Sequence, residues 1–101
     1  MKKVSFLPQG KYKIGKGMPE GIYLIAFAND YAFITIERAF DNCERYALTK
    51  EHPMCHVELE ENDTIMLEGS AKVRHIPKSI YENEASDFNL MEEIADFQKF
   101  I

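Results

Sequence analysis

No tryptophan occurs in this 101-residue chain, and cysteine is limited to Cys43 and Cys55. Two thiols are too few for the disulfide framework that holds small secreted folds together, and in a reducing compartment they stay as thiols. Long apolar runs are missing as well. The longest, Ile22 to Ala28, falls far short of the ~20 residues that a helix needs to cross a bilayer. The opening Met1 to Pro8 carries lysines, but its apolar stretch is shorter than a secretory signal core and Pro8-Gln9-Gly10 ends it. These absences lead to the expectation of a cytoplasmic protein without membrane contact.

What is present fits one domain with a real core. Apolar residues make up 46% of the chain and charged residues 29%, which separates it from disordered and fibrous compositions. A chain of this length buries roughly two-thirds of its unfolded surface. The net charge of −5 is unevenly spread: Lys2, Lys3, Lys11, Lys13 and Lys16 precede the first acid, Glu20, whereas Glu82, Glu84, Asp87, Glu92, Glu93 and Asp96 crowd the tail. An acidic molecule of this kind repels nucleic acid, so no nucleic-acid partner is expected.

Strand and turn signals recur along the chain. Residues 4–7 and Lys11 to Ile14 read as short strands, followed by a loop, Gly15 to Gly21, in which glycines and Pro19 exclude helix and central strand. Ile22 to Phe27 is β-branched and aromatic with both faces apolar, the pattern of a strand buried on two sides. Asn29-Asp30 offers a turn, and Tyr31 to Ile36 returns, so Gly21 to Ile36 reads as a hairpin. A second hairpin reads from Val57 to Leu67, with Glu61-Asn62-Asp63 at its turn and Glu58 and Glu60 on a wet face. Lys72 to Ile76 alternates once more before Pro77. Residues 37–55 are poorly marked: Arg45 to Leu48 suits a strand, and a helical turn over Arg38 to Tyr46 is the rival.

Beyond Pro77 the period changes. Leu90, Ile94, Phe97 and Ile101 recur at helical steps while Glu92, Glu93 and Asp96 lie off that stripe. Asn89 with Glu92 suits a capping box. The expected architecture is mainly β, a two-sheet antiparallel, jelly-roll-like sandwich of seven or eight strands over residues 1–77. A C-terminal amphipathic α-helix lies within 78–101 and packs on the same domain or on a partner.

The run Tyr12-Lys13-Ile14-Gly15-Lys16-Gly17-Met18-Pro19-Glu20-Gly21-Ile22-Tyr23-Leu24-Ile25 resembles a signature of small β modules from Gram-positive bacteria and their phages, Tyr-x-Val-Gly-x-Asp-Ile-Pro-x-Gly-x-Tyr-x-Ile. Val57 to Gly69 is similar to the later part of that family's pattern, so the resemblance covers about residues 11–76. Gly17-Met18 stands in place of Asp-Ile, and Asn62-Asp63 in place of Gly-Asp. The resemblance implies a β-sandwich of bacterial or phage origin. Its fixed residues are turn and packing residues, so it implies no chemistry.

Candidate chemistry is sparse. Gly15, Gly17 and Gly21 are followed by a strand pattern rather than a helix, and no Gly-Lys-Ser/Thr closes the loop, so no nucleotide or other cofactor is expected. Cys43, His52, Cys55 and His56 carry the ligand types that zinc prefers, but their spacing is poor and adjacent Cys55 and His56 diverge in an extended chain. Cys55 with His75 could form a nucleophile pair, although no orienting third residue is marked. Glu58, Glu60, Glu61 and Asp63 suit a solvated strand face better than a calcium loop. Tyr12, Tyr23, Tyr31, Tyr46 and Tyr81 offer stacking platforms.

These observations point to a non-enzymatic protein-binding or assembly module whose contacts run through Leu90, Ile94, Phe97, Phe100 and Ile101, with another protein or with a second copy. A small metal- or thiol-dependent enzyme built on the Cys/His residues and a carbohydrate-binding sheet face are the alternatives.

Overall fold

A computed structural model describes residues 3–38, 42–83 and 87–101. Eight strands form two antiparallel sheets: β1 (Ser5–Leu7), β2 (Gly10–Lys13), β3 (Gly21–Phe27), β4 (Ala32–Glu37), β5 (Cys43–Leu48), β6 (Met54–Leu59), β7 (Thr64–Glu68) and β8 (Ala71–Pro77). A single turn of helix, α1 (Lys78–Tyr81), follows β8. The chain closes with α2 (Leu90–Phe97) and a 3-10 turn over Gln98–Phe100.

Sheet A has the order β1-β8-β3-β6 and sheet B the order β2-β7-β4-β5. First strand pairs with eighth, second with seventh, third with sixth and fourth with fifth, as if one long hairpin had been rolled into a sandwich. The fold is therefore a jelly-roll sandwich, as the strand pattern suggests. The core between the sheets is built from alternating side chains, including Tyr23 and Ile25 of β3, Ile34 and Ile36 of β4, Val57 and Leu59 of β6, and Ile65 and Leu67 of β7.

Neither expected hairpin forms. β3 bonds to β6 and β8, while β4 bonds to β5 and β7, so Gly21 to Ile36 is an arch that passes from one sheet to the other. Val57 to Leu67 is likewise an arch, with β6 in sheet A and β7 in sheet B. Alternation fixes which side chains point inward, but two inward faces satisfy that pattern equally well beside each other or across a core. The turns themselves are held from outside. Ala28 N donates to Ser70 O at 2.9 Å, tying the first arch to the β7–β8 connection. The second arch turns through Asn62 at φ +77°, and its backbone bonds both ways with Ile14.

The one pair of consecutive strands that bond to each other among the described residues is β4–β5, in the poorly marked stretch. Arg38 N donates to Asn42 O at 2.7 Å near its tip. Cys43 to Tyr46 is extended, so the rival helical turn is not formed there; residues 39–41 of that reading lie outside the described residues.

The tail helix begins where Asn89 accepts from Met91 N and Glu92 N. It lies on the outer face of sheet A. Leu24, Ala26, Ile76 and Phe97 form a second buried cluster, against which Leu90, Ile94, Tyr81 and Phe88 pack. That cover explains why β3 is apolar on both faces: Tyr23 and Ile25 face sheet B, while Leu24 and Ala26 face the helix. Gly21, where β3 starts, has φ +146°, and a Cβ there would collide with Ile76 O.

Candidate functional site

The four candidate metal ligands are dispersed by the fold. Cys43 is exposed at the start of β5 in sheet B, and His52 is exposed in the connection before β6. Cys55 and His56 share β6 but diverge. Cys55 sits opposite Ile25 and packs on the inter-sheet core, while His56 is exposed opposite Leu24. Burial pushes the Cys55 thiol up to about 12, which keeps it protonated and unreactive. Among the described residues no group of three or more His, Cys, Asp or Glu side chains is placed to hold a metal ion.

The Cys55–His75 pair is not assembled either. β6 and β8 flank β3 on opposite sides, which separates the two strands by roughly 10 Å. His75 instead stacks on Tyr23 at 4.8 Å, and its Nε2 is 2.7 Å from Glu20 O. Glu58 is likewise engaged, accepting from Tyr81 Oη at 2.8 Å. Asp63 is buried. Its Oδ2 accepts from Glu60 N and from Arg38 Nη1, both at 2.8 Å.

Arg38 organises a network that the charged stretch of sequence did not single out. Its Nε donates to Glu44 at 2.5 Å, and its Nη1 reaches Asp63 and Glu58 O, joining the β4–β5 tip to the β6–β7 arch. Glu44 also accepts from Tyr46 Oη. The hydrogen bond from Arg38, with that from Tyr46, holds the Glu44 carboxyl below the usual carboxylate range. Every member of this network has a partner within it, which marks it as a clamp on the fold rather than a reactive group.

The expected contact stripe divides. Phe97 is fully buried, and Leu90 and Ile94 pack on the same cluster, so these three are directed at the protein's own sheet. Phe100 and Ile101 remain exposed. Beneath the helix lies Arg74, 3% exposed, with Nη1 2.9 Å from Asp96 and 3.5 Å from Glu93, and with the rings of Phe97 and Phe100 at 5.7 and 5.6 Å.

The outer face of sheet B is left uncovered by the tail helix. Strand register sets its side chains in rows. Glu68, Phe33 and Ala47 lie side by side; next come Lys11, Met66, Thr35 and Arg45; then Lys13, Thr64, Glu37 and Cys43. Phe33 is 44% exposed and packs on equally exposed Tyr31, ring centres 5.2 Å apart. A shallow groove runs past Gln9, Phe33, Thr35, Met66 and Glu68. The other four tyrosines turn their hydroxyls onto the protein: Tyr12 to Pro8 O, Tyr23 to Pro19 O, Tyr46 to Glu44 and Tyr81 to Glu58. The sequence signal for this face was the phase of β4, in which Ala32, Ile34 and Ile36 point in and Phe33 must therefore point out.

No protein-family model, curated protein or solved structure matches the chain. Among the described residues no helix is long and apolar enough to cross a membrane.

Proposed function

We propose that the protein is a non-enzymatic binding or assembly module that contacts another protein through the outer face of sheet B. The observation that carries this reading is the exposed Tyr31–Phe33 pair beside Met66 and Ala47, framed by Lys11, Lys13, Arg45, Glu37 and Glu68. An apolar, aromatic centre inside a charged rim is the composition of protein interfaces, where one or two aromatic anchors carry most of the binding energy. The tail helix is the weaker candidate, because its apolar stripe is already occupied by sheet A. Both cysteines are unpaired, which suits a reducing cytoplasm.

The test compares two baits in lysate of the native host, the wild-type chain and a Phe33→Glu variant. Proteins held by the first and released by the second are then measured as purified pairs. The expected loss on Phe33→Glu is at least tenfold in affinity, about 1.4 kcal/mol or more. Equal binding by both baits would remove sheet B as the contact surface.

A saccharide is the second reading for the same face. Aromatic rings stack on sugar faces, and Gln9 and Glu68 along the groove supply a carboxamide and a carboxylate for hydroxyl groups. A glycan array probed with the wild-type chain and Phe33→Glu separates the two.

A further inference from the structure

A partly enclosed hollow of about 240 Å³ lies where β8, α1 and the stretch leading into α2 meet, and its lining includes Lys3, Arg74, Ile76, Ile80, Phe88 and Glu93. An apolar cavity of roughly 150 Å³ takes a benzene ring, so this one has room for a ring and a short polar arm. Ile76, Ile80 and Phe88 supply the apolar wall, and the charged groups are two cations and one acid. The hollow belongs to the helix side of sheet A and is separate from the outer face of sheet B.

Arg74 gives the hollow its chemistry. The residue is 3% exposed, with the rings of Phe97 and Phe100 beside its guanidinium. Asp96 and Glu93 both meet Nη1, at 2.9 and 3.5 Å. Nε and Nη2 are sealed from solvent and have no hydrogen-bond partner among the described residues. These two nitrogens share one edge of the planar guanidinium, where their parallel N–H groups match the two oxygens of a carboxylate. Sealed donors without acceptors destabilise the ligand-free chain, and an acceptor bound on that edge removes the penalty.

We propose that this hollow binds a small organic monocarboxylate with an apolar body, its carboxylate on the Nε–Nη2 edge of Arg74 and its body against Ile76, Ile80 and Phe88. Charge sets both the class and the exchange that admits it. Lys3 and Arg74 already balance Asp96 and Glu93, so one acid must withdraw when a further carboxylate enters. Glu93 is that acid, because its contact with Arg74 is the longer of the two and its side chain lines the hollow. Turned to water, it opens the way to the sealed edge and leaves one negative charge for the ligand. A phosphate monoester brings a second negative charge that no remaining cation balances.

The test is an NMR titration of the isotope-labelled full chain with phenylacetate, read at the Arg74 Nε–H signal and at the backbone amides of Ile76 and Ile80. The expected result is a saturable shift of these signals with a Kd of about 1 mM, as suits a ligand of this size. Acetate, which lacks the ring, and phenylacetamide, which lacks the charge, are each expected to bind at least about tenfold more weakly. Arg74→Met abolishes the shifts of Ile76 and Ile80, and Arg74→Lys, which keeps the charge without the paired donors, weakens binding at least about tenfold. Glu93→Gln tightens binding, which the loss of a merely structural contact would not do. Circular dichroism checks that each variant is folded; if Arg74→Met is not, Arg74→Lys and Glu93→Gln decide. No saturable shift with phenylacetate, equal binding of phenylacetamide, tighter binding of phenyl phosphate, undiminished binding in a folded Arg74 variant, or weaker binding in Glu93→Gln overturns the proposal. A failure here leaves the sheet B reading standing.

Discussion

β3 and β4 follow each other along the chain and are of similar length, yet they occupy different environments. β3 buries Tyr23 and Ile25 between the sheets and Leu24 and Ala26 beneath the helix, whereas β4 buries Ala32, Ile34 and Ile36 and leaves Phe33 and Glu37 in water. One sheet is the middle layer of three; the other is an outer wall. Substitutions in sheet A's second face should therefore act on stability, and substitutions in sheet B's outer face on recognition.

The sharpest way to break that contrast is a pair of truncations. Phe97→Ala removes a fully buried ring from the layer between helix and sheet A, and a loss of about 3–5 kcal/mol is expected. Phe33→Ala removes a ring that is 44% exposed, and a change within about 0.5 kcal/mol is expected. Urea unfolding of the two variants measures both. Similar costs would show that the helix contributes no more to the fold than a surface residue does.

The same contrast marks what could be read from the sequence. The two apolar faces of Ile22 to Phe27 announce a strand covered on both sides, and the Leu90, Ile94, Phe97 stripe announces its cover. The partner of each strand was not legible. In a rolled-up jelly roll most pairings join residues far apart in the chain, such as Ile22 with Ile76 and Tyr12 with Ile65, and alternation carries no record of that choice. The one local hairpin among the described residues, β4–β5, was obscured because β5 is an edge strand that mixes charged, polar and apolar residues. The candidate site was legible only as phase: in the Tyr31 to Ile36 strand Phe33 alternates with Ala32, Ile34 and Ile36, and the register places it outside. Arg74 gave no signal, since Lys72-Val73-Arg74-His75-Ile76 suggests alternate wet residues, and only the helix laid over that face buries it.

A second, smaller effect separates the sheets by pH and thiol chemistry. Burial raises Cys55 from 9.0 to about 12 and Tyr23 from 10.0 to about 12, both in sheet A and facing the inter-sheet core. Each stays protonated in the folded chain at a pH where the unfolded chain has lost that proton. Their contributions are complete below about pH 8 and decline as pH rises through the window from about 9 to about 12. The decline is at most about 1.4 kcal/mol per pH unit for each group. Cys55→Ala should flatten the lower part of that decline in urea titrations between pH 8 and 11. At pH 8 a disulfide reagent should modify exposed Cys43 quickly and Cys55 only as the chain unfolds. Rapid reaction of two thiols in the folded protein would show that the sheet A interior is open to solvent.

The smallest effect concerns the contact that joins helix to sheet A. Arg74 is held by Asp96 and Glu93 and lies near two aromatic rings, which suggests an anchor. Its Nε and Nη2 are nevertheless buried without hydrogen-bond partners. Each sealed, unpaired donor costs about 1–3 kcal/mol, which offsets much of what the ion pair and rings contribute. Glu93 and Asp96 are 20% and 30% exposed in their side chains, so they can turn to water if the guanidinium is removed. A methionine there would keep most of the packing volume, and its sulfur suits the neighbouring rings. Arg74→Met is therefore expected to be neutral or stabilising by about 1 kcal/mol, in keeping with other buried ion pairs replaced by apolar side chains. A loss above about 2 kcal/mol in thermal or urea unfolding would show instead that the ion pair itself fastens the tail. The difference between the two sheets would then rest on charge as much as on apolar burial.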